Sequence, residues 1–109
     1  MAEYSASAEF LYKLVDLSDN STAVYAGPCL LRGIHVVASL SAHDVVVDDD
    51  TTQIGGVPAS APIGSWFEFG DMRIETSLTV DPDDSATGTI AVVYKPFHDG
   101  GAGSGAGLP

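Results

Sequence analysis

From residue 28 to residue 96, apolar and polar side chains alternate with a period of two. The runs are rich in valine, isoleucine and threonine, and glycine, proline or aspartate clusters break them every several residues. Successive side chains of an extended strand point to opposite faces, so this pattern builds half-buried strands and leaves no stripe for a helix. β-Branched side chains also fit a pleated surface better than a helix. Many short strands separated by turn chemistry predict an all-β fold: a small single-domain β-sandwich or barrel of seven or eight antiparallel strands.

The longest run, Leu30 to Leu40, reads as one strand buried on much of both faces. Asp44 to Asp48 and Gln53 to Val57 read as a hairpin turned by Asp49-Asp50-Thr51-Thr52, because aspartates bond nearby backbone amides and tolerate unusual dihedrals. Residues 55–64 hold Pro58 and Pro62 and belong to an edge or a loop, since proline lacks the ladder donor. In Ser65 to Phe69, Trp66 and Glu68 share one face, and Ser65, Phe67 and Phe69 the other. After a turn at Gly70-Asp71, one strand is expected from Met72 to Val80, with Met72, Ile74, Thr76, Leu78 and Val80 facing a core. Asp81-Pro82-Asp83-Asp84 then turns the chain into Thr87 to Lys95, where Ile90, Val92 and Tyr94 oppose Thr89, Ala91, Val93 and Lys95; this pair reads as a hairpin.

Outside the 28–96 core, residues 1–27 read as an N-terminal arm or a set of edge strands, with Phe10, Tyr12 and Leu14 on one side. Residues 97–109 are dominated by glycine, have almost nothing to bury and predict a flexible tail.

Fifteen acidic residues against four basic ones give a net charge of −11, and the cations Lys13, Arg32, Arg73 and Lys95 are scattered along the sequence. Phosphate backbones and anionic membrane surfaces need clustered lysine and arginine, so neither nucleic acid nor membrane is an expected partner. A partner with basic patches suits such a surface. Cys29 is the only cysteine, which excludes an internal disulfide and leaves it as a small buried hydrophobe. No apolar run approaches the ~18 residues of a membrane span, and MAEYSASAEF lacks the regions of a signal peptide, so synthesis and folding in cytoplasm are expected.

Site chemistry is sparse. Asp48, Asp49 and Asp50, or Asp81, Asp83 and Asp84, offer hard oxygen ligands for calcium, yet neither run has EF-hand spacing, its central glycine or its closing glutamate, and both read as solvated turns. His35, His43, His98 and Cys29 show no paired spacing for zinc. His43 and Asp44 are neighbours whose side chains diverge on a strand, no GxSxG elbow exists, and the glycine pairs lack a following lysine. The expectation is a non-enzymatic protein with no metal and no cofactor. Trp66, Phe67, Phe69 and Tyr94 are expected to fill the core, the alternative being a sugar-stacking platform.

The stretch from Gly33 to Pro96 resembles small β-rich virion proteins of tailed-bacteriophage structural modules. The resemblance rests on a long strand ending near Ser41-Ala42-His43, the acidic turn into Ile54, the aromatic strand Trp66 to Phe69, and Thr76-Ser77-Leu78 closing on Val92-Val93-Tyr94. It implies a capsid decoration (cement) or head-fibre subunit on the capsid surface of the virion, made in the host cytoplasm. Its implied partners are the major capsid protein and copies of itself, with a homotrimer as the implied state. Tyr4, Phe10, Tyr12 and Leu14 are the anchor this reading selects, because they are apolar and lie outside the expected core. The alternative is a tail, adsorption or carbohydrate-binding sandwich. Glycan binding predicts an exposed Trp66, and cement function a buried one.

Overall fold

The structure, a computed structural model, describes residues 10–19 and 21–97. The runs of alternation form eight strands: β1 (Leu11–Asp16), β2 (Thr22–Tyr25), β3 (Cys29–Ala38), β4 (Val45–Asp49), β5 (Thr52–Val57), β6 (Trp66–Ile74), β7 (Leu78–Pro82) and β8 (Thr89–Pro96), with no helix among the described residues. They pair antiparallel in two four-stranded sheets, one ordered β1-β8-β3-β6 and the other β2-β7-β4-β5. The fold is therefore an all-β sandwich.

Between the sheets lies one apolar core. The first sheet contributes Val15, Leu31, Ile34, Val36, Ile74, Ile90 and Val92, and the second contributes Val45, Val47, Val57, Leu78 and Val80, all essentially inaccessible. No buried polar or charged side chain interrupts it among the described residues. Phe69 reaches from β6 toward Gly55 on β5, where a Cβ would lie 2.8 Å from the ring, so that glycine makes room for the aromatic that closes this side of the sandwich. Burying apolar surface in this way is the main stabilising term for a chain without disulfides.

Register errors in the sequence reading have physical causes. β3 is buried on one face only: Cys29 and Leu31 point inward, a bulge at Arg32 shifts the phase, and Ile34 and Val36 point inward again, leaving Arg32, His35 and Val37 exposed. A bulge inserts a residue and so lets two runs of opposite parity share one core face. Gly70-Asp71 is also a bulge, not a turn. Leu31 faces Met72 while Gly33 already faces Glu68, so Phe69, Gly70 and Asp71 stand against Arg32. Gly70 and Asp71 take the left-handed φ values of 66° and 56° that such a bulge requires.

Residues 72–80 are not one strand. β6 ends at Ile74 in the first sheet, the chain crosses at Glu75–Ser77, and β7 begins at Leu78 in the second; Thr76, expected in the core, is exposed. Likewise β7 and β8 form no hairpin, because β7 pairs with β2 and β4 while β8 pairs with β1 and β3. The β4–β5 hairpin does form, with Asp50 at a φ of 58° in its turn.

At the N-terminal side, β1 and β2 are edge strands, and Val15 and Leu17 are core residues. The segment from Leu11 is thus part of the sandwich. Tyr4, His98 and the expected glycine-rich tail lie outside the described residues.

Candidate functional site

In an antiparallel pair, directly opposed residues point to the same face. The registers therefore define rows across the outer face of the first sheet: Tyr12, Val93, Gly33 and Glu68 form one, and Leu14, Ala91, His35 and Trp66 the next. Tyr12 is 68% exposed, Leu14 54% and Trp66 42%, and Val37 lies on the same face. Four large apolar side chains thus share one solvent-facing sheet surface. Leu14 and Trp66 stand on opposite edge strands with Ala91 and His35 between them, and large apolar side chains exposed on one face are a usual mark of an interaction surface.

Trp66 contradicts the expectation that it fills the core. Its indole lies on Gly33, where an added Cβ would come within 2.3 Å of Cζ2, and a side chain at that position is excluded. Trp66 Nε1–H donates to Glu68 Oε1 at 2.9 Å, and Glu68 Oε2 accepts from the Gly70 amide at 3.1 Å. The ring is held against Gly33 through Cζ2 and Cη2, with its donor satisfied and part of its surface open to solvent. Phe67 and Phe69, on the opposite parity, pack against the core, as does Tyr94, whose ring centroid lies 5.7 Å from that of Tyr25. The aromatic set that looked continuous in sequence is therefore divided between two environments.

Of the predicted anchor residues, Tyr12 and Leu14 lie on this face. Phe10, just ahead of β1, is half-buried beneath the Arg32 guanidinium at 3.6 Å, with Lys95 Nζ at 5.9 Å. The cations scattered in sequence are partly gathered here: Lys95, Leu30 and Arg73 form one row across β8, β3 and β6, and Arg73 lies 4.7 Å from the Phe97 ring. Arg32 is engaged bidentately by Asp71 at 3.1 and 3.3 Å, and Arg73 by Glu75 at 2.8 Å. The Arg32 side chain holds the Asp71 carboxyl below its ordinary range. Two of the gathered cations are thus already neutralised, which leaves no open phosphate cradle.

Acid accumulates on the other sheet. On its outer face the Asp48 carboxyl is pushed above the usual range by burial and by Asp81 nearby. His43 Nδ1 lies 3.6 Å from Asp83 Oδ1, so His43 faces the 81–84 turn and not its neighbour Asp44. Asp49 points away from Asp48 and Asp50 to bond the backbone at Glu75, Thr76 and Ser77. Among the described residues, no three His, Cys, Asp or Glu side chains converge to hold a metal ion. Comparison with family models, with curated proteins and with solved structures finds no match to this chain.

Proposed function

We propose that the protein is a non-enzymatic structural module that docks through the outer face of its β1-β8-β3-β6 sheet, and that its role is capsid decoration on a phage head. The docking reading is carried by one observation: of the six exposed large apolar side chains among the described residues, Tyr12, Leu14, Val37 and Trp66 share a single sheet face, Leu11 and Ile63 being the other two. Both arginines near that face are paired locally, Arg32 with Asp71 and Arg73 with Glu75, whereas the chain as a whole carries −11. Charges already paired cost less to desolvate against a partner than bare ones. The capsid assignment rests on the sequence resemblance to phage virion proteins alone; its expectation of a buried Trp66 is not met, and the exposed ring is here part of the docking face. A cement protein works by burying surface across capsomer joints, so that separating capsomers must expose it again; a standard stable interface buries about 1,600 Å².

The test is co-sedimentation with assembled shells of a major capsid protein found to be encoded beside it or to co-purify with it, in parallel with the unassembled subunits. Binding to shells alone is expected, and Trp66→Ser together with Val37→Ser should abolish it. Retention of full binding by that double variant would exclude this face as the docking site. Deleting residues 1–15 is no clean test, because it removes core residue Val15 and most of β1.

A second reading is favoured by Trp66 itself, since its exposure is the outcome attached to glycan binding. A flat indole with one face on Gly33 has the shape of a sugar-stacking platform. Trp66 is the only tryptophan, so its fluorescence reports directly on added oligosaccharides. A saturable shift with sugar and none with shells would establish this reading over decoration.

A further inference from the structure

Edge strands present unpaired N–H and C=O groups that template pairing with another strand, and most edges carry something that prevents it. Three of the four edges here do. β6 is bent by the bulge at Phe69–Asp71 and lined by Glu68, Asp71 and Arg73. β5 carries an irregular register, a Gln53 side-chain bond to the Gly55 carbonyl and Pro58 immediately after it. β2 has four residues and a register shift at Ala23–Tyr25. β1 differs: its register with β8 runs unbroken from Leu11↔Tyr94 to Asp16↔Thr89, and every side chain on it except Val15 is exposed.

Charge along β1 says what such an edge accepts. In a chain with 15 acids and four bases, Lys13 on β1 and Lys95 on the adjoining β8 have no carboxylate at ion-pair distance among the described residues. Lys95 flanks Phe10 at the start of the strand, beside an Arg32 already paired with Asp71, while Asp16 and Asp19 stand at its end. With Lys13 and Lys95 toward its start and two carboxylates at its end, the strand's best complement is the same strand reversed.

We propose that two copies of this chain associate by antiparallel pairing of β1 with β1 about a two-fold axis. Each copy's Asp16 and Asp19 then lie toward the other's Lys95, and Tyr12 and Leu14 of both copies extend one apolar face across an eight-stranded sheet. Such an interface is isologous and closes at two. Parallel pairing would set acid against acid, and most other approaches bring two surfaces of a −11 chain together. One six-residue edge buries less than a standard interface, so the dissociation constant is about micromolar or weaker. The inference does not depend on capsid decoration, and it replaces the threefold state that the sequence resemblance implies.

Sedimentation velocity and native mass spectrometry of the full chain in about 0.15 M salt test it. The expected species has twice the 11.2 kDa chain mass at ~100 μM, dissociates on dilution, and shows added amide protection in β1 as it forms. Leu14→Asp should weaken association about tenfold or more, and Ile63→Asp, on an exposed loop, should leave it unchanged. Asp16→Lys and Lys95→Asp should each weaken it, and the two together should restore it. A monomer at ~1 mM, a trimer, equal loss in Ile63→Asp, or no rescue by the double charge reversal would overturn the proposal.

Discussion

The Asp49 carboxylate accepts the Thr76 backbone N–H at 2.9 Å, across 27 positions of sequence, at the point where the chain leaves one sheet for the other. The same carboxylate accepts from Glu75 at 2.8 Å and Ser77 at 3.2 Å. Three consecutive amides in a crossing segment have no ladder to join, and Asp49, at the end of the row that also holds Val45 and Val47, supplies their acceptor. This single side chain stands in for a missing stretch of sheet.

Asp49→Ala should therefore destabilise the fold by about 1–2 kcal/mol, read as a lowered denaturant midpoint. Burial raises the Asp49 carboxyl, but the three backbone bonds outweigh it and hold the group below its ordinary range. A depressed folded-state value contributes stability that is fully present above the unfolded value of about 4 and is lost as pH falls through the folded one. The difference in unfolding free energy between wild type and Asp49→Ala should shrink as pH falls below ~4. An unchanged difference would mean the carboxylate is not the acceptor that matters.

Gly33→Ala places a methyl group 2.7 Å from the Phe67 carbonyl oxygen and within 2.3 Å of the Trp66 ring. The ring can swing away, but the backbone oxygen cannot. A loss of about 1–3 kcal/mol is expected, a fall in melting temperature of several degrees for a chain this size. Tryptophan emission should shift red as the indole lifts from the sheet.

Cys29 is fully buried, and burial together with the nearby Asp49 charge pushes its thiol up to about 11. Thiolate is the reactive form, so labelling by a disulfide reagent at pH 8 should be slow and governed by opening of the fold. Adding denaturant should make it fast. Rapid labelling of the native protein would show that β3 is not sealed in the core.

Trp66→Ser should cost about 1–2 kcal/mol, less than the ~3–5 kcal/mol of truncating a core aromatic, since the ring packs on an outer face and is 42% exposed. Acrylamide should quench Trp66 in the free protein and lose access when the docking face is covered.

Ile90, Val92 and Tyr94 could be separated from Thr89, Ala91, Val93 and Lys95 by alternation alone, because a strand's period of two is local, whereas in the unbroken run Val45-Val46-Val47 parity could not choose the buried pair. The β4–β5 hairpin could also be read locally, since its turn chemistry sits inside the turn. Trp66 could not be placed by the same rule. Its parity was read correctly, opposite Phe67 and Phe69, yet which face is covered depends on where the second sheet lies. The apparent continuity of residues 72–80 misled for a related reason: Ile74 and Leu78 both face the core, but from opposite sheets.

The amino-acid sequence by itself determined that the chain forms strands and where most of them lie. Tertiary structure alone decided which strands pair, that Lys95 and Arg32 meet around Phe10, and that Trp66 lies open on the same sheet face as Leu14. The reason is the range of the forces involved. Alternation and turn preference act over a few residues, whereas strand order and the exposed face depend on which surfaces meet after the chain has crossed between sheets.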